Sequence, residues 1–105
     1  MFTRSMSSPR VDIRERILSA WGEFQALEVE HLDLFGSYAR DEAGPESDVD
    51  VLVHLRGKPT LARLVAVRGR LQALLGRKVD VLTPGALEQR PRLRERILRE
   101  SFRVA

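Results

Sequence analysis

Between Gly36 and Val53 the chain reads GSYARDEAGPESDVDVLV, and no other stretch restricts the possible folds as much. A Gly-Ser pair is followed, with ten residues between, by Asp48-Val49-Asp50 at the head of an apolar run. Val49, Val51 and Val53 alternate with Asp48 and Asp50. That is the period of a β-strand, so the two carboxylates share one face and the valines the other. Carboxylates about 7 Å apart repel by roughly 2–3 kcal/mol at an effective dielectric near 20. A strand carries that cost more readily with a cation between them. The Gly-Ser turn just upstream can hold a phosphate, because glycine lets the backbone approach closely and the free amides and the Ser37 hydroxyl can donate to its oxygens. Together the two elements point to a divalent metal and a nucleoside triphosphate.

The rest of the chain supplies helices to cover such a strand. Ser8-Pro9 fits an N-cap with proline at the first helical position. Ile13, Ile17, Trp21 and Phe24 recur at helical spacing, which predicts one amphipathic helix from residue 9 to about 27 with Trp21 in the core. Val29 to Phe35 alternates as a strand. A short helix is expected from Gly36 to Ala43, stopped by Gly44-Pro45. A second strand runs from Asp48 to Leu55, and Arg56-Gly57-Lys58-Pro59 makes a turn. Thr60 caps a long helix with the apolar stripe Leu61, Leu64, Val65, Leu71, Leu74 and Leu75, ending near Gly76. Lys78 to Leu82 is a third strand, and Thr83-Pro84 opens a helical turn. Pro91 starts a last helix with Leu93, Ile97 and Leu98 facing inward. Ser101 to Ala105 is a short strand or a frayed end. The order α-β-α-β-α-β-α predicts a small α/β (α+β) domain with helices packed on a mixed sheet. Ligands of such sheets sit beyond strand ends, near helix N-termini.

Length and charge narrow the class. The 105 residues suffice for one domain with a modest core. No apolar run approaches the roughly 20 residues that span a bilayer. The opening MFTRSMSSPR has no apolar segment of the kind a secretory signal needs, and residues 1–8 are expected to be a flexible tail. Without cysteine there is neither a disulfide nor a thiolate metal site, and a cytoplasmic location is the expectation. A net charge of +3 is too slight to argue nucleic-acid binding, and direct nucleic-acid contact is not expected.

Asp80 is the third acidic candidate. It stands in the middle of Lys78-Val79-Asp80-Val81-Leu82, and it joins Asp48 and Asp50 if the two strands lie side by side. Each element also has a plain structural explanation. Gly36-Ser37 can be an ordinary strand-to-helix turn. Asp48 can cap a turn, Asp50 can guard a sheet edge, and Asp80 can face solvent. Arg40, one helical turn past Ser37, can reach a phosphate or pair with a neighbouring acid. His31 and His54 lack metal-ligand spacing and are read as structural. The run from Arg90 to Arg99 holds five arginines, read as the exposed face of the last helix, with partner docking as the rival reading.

These residues resemble the minimal nucleotidyltransferases of the polymerase-β superfamily. That family's pattern is Gly-Ser, about ten residues, Asp-x-Asp on a strand, and a third Asp on a later strand. Gly36, Ser37, Asp48, Asp50 and Asp80 match it, with Tyr38-Ala39-Arg40 and Ser47 as familiar surroundings. The resemblance implies a polymerase-β-like fold over residues 9–105. It further implies two Mg²⁺ ions held by Asp48, Asp50 and Asp80, with Asp80 also helping to deprotonate the acceptor, and ATP phosphates held by Gly36 and Ser37, where Arg40 is the candidate third contact. Such proteins are commonly paired with HEPN-domain toxins. The resemblance therefore implies an antitoxin that transfers AMP from ATP to a tyrosine of a HEPN partner. Two other readings stay open: a module that neutralises a partner by docking alone, and nucleotidyl transfer to RNA or a small molecule. One departure is Asp41, where many relatives carry glycine.

Overall fold

The computed structural model describes residues 8–44 and 46–105. The expected tail, apart from Ser8, and Pro45 of the expected helix stop lie outside them. The elements in chain order are α1 (Pro9–Ser19), α2 (Trp21–Ala26), β1 (Val29–Phe35), α3 (Gly36–Ala39), β2 (Val49–Leu55), α4 (Leu61–Leu75), β3 (Val79–Leu82), α5 (Pro84–Leu87), α6 (Pro91–Glu100) and β4 (Phe102–Arg103).

The strands form one mixed sheet in the order β3-β2-β1-β4. β1 and β2 are antiparallel across the Gly36–Asp48 connection, whereas β2 and β3 are parallel, as a crossover through α4 requires. One face carries the main core, with Val49, Val51 and Val53 packed under Ile13, Ile17, Phe24, Val67 and Leu71. The other face carries a smaller cluster in which Leu52 meets Leu87 and Ile97 of α5 and α6. Asp50 belongs by alternation to this second face, so it emerges where the smaller cluster ends. Among the described residues no helix is long and apolar enough to cross a membrane.

Several elements depart from expectation. The first helix is broken at Ala20, whose φ of −116° and ψ of 19° leave the helical region. The Ala20 N–H closes onto Ile17 at 3.1 Å, and α2 restarts in a new direction that buries Phe24. Trp21 is only partly buried, tilted against Phe24. α3 stops at Ala39, because Asp41 adopts φ 60°, the left-handed conformation that glycine takes without cost.

The stripe of α4 is rotated from the one expected. Val67, Leu71 and Leu75 are buried, while Leu61 is 77% exposed and Val65 59% exposed. In α6, Ile97 is buried but Leu98 is 51% exposed. The caps match the sequence: Thr60 accepts from Arg63 N–H at 3.3 Å, and Gly76 ends α4 with φ 65°. The C-terminal segment does form a strand, with Arg103 opposite Asp33 of β1.

Asp33 is the buried acid the alternation did not single out. It is 5% exposed. It accepts a hydrogen bond from His54 Nε2 at 2.9 Å and a two-pronged one from Arg103. His54 is thus structural, as its spacing suggested, and ties β2 to β1 and β4.

Candidate active site

Parallel pairing decides which acids meet. Asp50 and Asp80 are direct partners in the β2–β3 register, as are Val49 and Val79 beside them. Their side chains project from the same sheet face. Asp50 is half-buried and its carboxyl is pushed up to about 6. Burial is the largest cause. The negative charges of Asp80 and then Asp48 add to it, a hydrogen bond to Asp80 favours the protonated form, and Arg40 opposes.

Asp48 precedes β2 and is near enough for its charge to act on Asp50. It is exposed, and its Oδ2 lies 3.8 Å from Lys78 Nζ. Among the described residues no group of three or more acidic or histidine side chains stands in metal-holding geometry. Two of the three expected carboxylates are therefore gathered, and the third is turned to a lysine. The Asp50–Asp80 pair itself fits a divalent cation. It offers hard oxygen donors, half-buried at Asp50 and exposed at Asp80, with a repulsion that a cation would relieve. A third donor from Asp48 would compete with its contact to Lys78.

Gly36 lies directly against this pair. It has φ 70°, and a Cβ at that position would collide with the Asp50 carboxylate, whose Cγ would be only 3.3 Å away. The turn and the acid thus pack with no room for a side chain, and glycine is required on two counts. From Gly36 the chain opens into a cavity of about 390 Å³ lined by Ser37, Arg40, Asp50, Arg96 and Glu100. Arg40 is engaged there by Glu42 at 3.0 Å and Glu100 at 3.4 Å. The hydrogen bond with Glu42, foremost, raises its pKa and keeps it charged.

Sequence reasoning missed Arg96 and Glu100. They line the cavity because α6 packs through Leu93 and Ile97, which sets positions 96 and 100 at its near flank. The i+3 spacing of Arg96 from Leu93 and of Glu100 from Ile97 was the available signal. A second cavity, of about 490 Å³, is lined by Asp80, Val81, Leu61, Leu64 and Val65. Asp50 borders both.

A β-sheet of this order, with a Gly-Ser turn against aspartates paired between β2 and β3, defines a nucleotidyltransferase. Residues 10–104 match the nucleotidyltransferase domain family, and the chain belongs to it. The chain is 41% identical over 76 residues to a provisionally named protein adenylyltransferase of Methanocaldococcus jannaschii, aligning 72% of this chain and 80% of that protein. It is 40% identical over 60 residues to the protein adenylyltransferase MntA of Thermococcus cleftensis, aligning 57% of this chain and 61% of that one. Among solved structures it is similar to one described provisionally as a minimal nucleotidyltransferase, with a TM-score of 0.75 at 33% identity over 89% of this chain and 93% of that one. It shares its fold with a chain from the complex of an MNT antitoxin with a tri-AMPylated HEPN toxin of Shewanella oneidensis, with a TM-score of 0.65 at 14% identity over 91% and 71% of the two chains. The mixed-sheet, polymerase-β-like architecture inferred from the sequence is the one observed.

Proposed function

We propose that this chain transfers AMP from ATP to a hydroxyl, a tyrosine side chain in particular, of a HEPN-domain partner and thereby acts as an antitoxin. One observation carries the transfer chemistry: Gly36 of the Gly-Ser turn is packed against Asp50, which is itself paired with Asp80. Gly36 and Ser37 bind the β- and γ-phosphates, and Arg40 and Arg96 supply positive charge at the same cavity. Mg²⁺, when bound at Asp50 and Asp80 with Asp48 recruited, supplies charge neutralisation for the attacking and leaving oxygens. The acceptor oxygen forms its bond to the α-phosphorus while the bond to the β-phosphate breaks. Pyrophosphate leaves with the electron pair, and the hydroxyl proton passes to Asp80. The relatives named protein adenylyltransferases support AMP as the group and protein as the acceptor. The fold shared with an antitoxin–toxin complex supports the partner. Dependence on ATP and Mg²⁺ accords with a cytoplasmic location.

Incubation with a co-expressed HEPN partner, Mg²⁺, and ATP labelled at either the α- or the γ-phosphate tests this. Label from α-ATP alone should appear on the partner, and Asp80→Asn should lower its rate by at least roughly 10²-fold. Label from γ-ATP would make the reaction a kinase-type transfer. Partner inhibition without label, equal in wild type and Asp80→Asn, would leave docking as the function.

A further inference from the structure

β3 is an edge strand whose free side is only half covered. Val49 donates its N–H to the Lys78 carbonyl at 3.0 Å. With the parallel register, that bond turns the peptide groups of Lys78, Asp80 and Leu82 toward β2 and those of Val79 and Val81 outward. α4 satisfies the first outward residue: Gln72 Oε1 accepts from Val79 N–H at 3.2 Å, and Arg68 Nε donates to the Val79 carbonyl at 3.1 Å. Among the described residues nothing does the same for Val81. Instead, the first turns of α4 set Leu61, Leu64 and Val65 around it, forming the cavity that also holds Asp50 and Asp80.

The exposure of Leu61 and Val65 is not explained by the fold. Their burial would stabilise by about 2 kcal/mol each, yet α4 turns them to solvent beside an unpaired strand edge. A free edge with apolar neighbours is a template for another strand. The position also suits an acceptor. In-line displacement puts the attacking hydroxyl opposite the leaving pyrophosphate. The Asp80–Val81 cavity adjoins the Gly36–Ser37 cavity at Phe35 and Asp50, so a hydroxyl held there lies beside the carboxylate pair and the phosphate site.

We infer that the acceptor protein docks as an extended segment, pairing its backbone with Val81 as a fifth strand and resting apolar side chains on Leu61, Leu64 and Val65. A hydroxyl on that segment is then delivered to Asp80. Delivery rests on the transfer reading given above, whereas strand docking is measurable without it.

The probe is a fluorescein-labelled seven-residue peptide of alternating valine and threonine around a central tyrosine, with a counterpart N-methylated on the amides of one edge. The full chain is used with Mg²⁺ and a non-hydrolysable ATP analogue. Leu61→Lys and Val65→Lys alter exposed positions, and Val81→Pro removes the outward N–H together with a side chain packed on the main core, so its fold is verified by circular dichroism before it is used. Anisotropy should show binding to wild type that falls at least about tenfold with the N-methylated peptide and in each variant, with ATP-analogue affinity unchanged. Val81 amide exchange should slow on peptide binding. Equal affinity for both peptides, no binding to wild type, unchanged binding in the variants, or a loss of ATP-analogue affinity instead would each overturn strand docking. With labelled ATP, binding without AMP on the tyrosine would refute transfer and leave docking in place. Transfer to tyrosine that ignores all three variants would refute docking and leave transfer.

Discussion

Replacing Asp50 with asparagine is expected to strengthen the fold while abolishing the chemistry. In the folded chain the Asp50 carboxyl titrates at about 6 rather than 3.8, because it is partly buried and faces Asp80 and Asp48. The unfolded chain keeps the ordinary value, so between these limits the folded state binds more protons. Stability therefore falls as pH rises through this window and stays at the lower level above it. A difference of about two pH units corresponds to roughly 3 kcal/mol before screening. Asp50 is only half-buried, so water and salt reduce this to about 1 kcal/mol. Asparagine has the same shape and no charge, and it removes the penalty. In metal-free buffer at about pH 8, Asp50→Asn should be more stable by about 1 kcal/mol, or roughly 4 °C in Tm. Near pH 4 the two proteins should converge. Urea denaturation followed by Trp21 fluorescence reads both, and added Mg²⁺ should close the gap by stabilising wild type alone. A variant less stable than wild type at about pH 8, or a gap that ignores pH, would refute the charge reasoning.

Gly36→Ala forces a side chain into a left-handed backbone against Asp50, and denaturation should show a loss of about 1–3 kcal/mol together with slower transfer. A neutral result would mean that the turn is not packed on the acid. Asp33→Asn leaves Arg103 and His54 with a neutral partner in a buried site, which should cost about 2–3 kcal/mol in urea melts and speed amide exchange in β4. Unchanged exchange there would count against the clamp. Lys78→Met should change stability by less than about 0.5 kcal/mol, since both partners of its contact with Asp48 are exposed. It should tighten Mn²⁺ binding severalfold in calorimetric titration by freeing Asp48, and unaltered affinity would exclude Asp48 from the metal site.

Much of the site was legible because strand alternation is strict. Once Val49, Val51 and Val53 are buried, Asp50 must face the other way, and Asp80 repeats the pattern on β3. Their meeting depends on parallel pairing, which the long α4 between the strands implied. The displacement of Asp48 toward Lys78 was not legible, because it depends on the position of a flexible side chain just outside the strand. The stripe of α4 was misread because ten of its fifteen residues are leucine, valine or alanine at positions before and beyond the Arg68–Arg70 segment, which leaves several helical faces apolar. The sequence alone could not say that Leu61 and Val65 were surplus to the core. Asp33 alternates like its neighbours, and only the return of Arg103 on β4, 70 residues later, makes it an anchored ion. The break at Ala20 carries no proline, and the hydrophobic period runs on through it.

Anomalous diffraction from crystals grown with Mn²⁺ and a non-hydrolysable ATP analogue bears most directly on the site. Manganese should lie between the carboxylates of Asp50 and Asp80, bridged to phosphates seated at Gly36 and Ser37, with Asp48 drawn away from Lys78. Metal bound elsewhere while nucleotide is present, or phosphates seated away from the Gly36–Ser37 turn, would contradict the assignment of this site as the place of transfer.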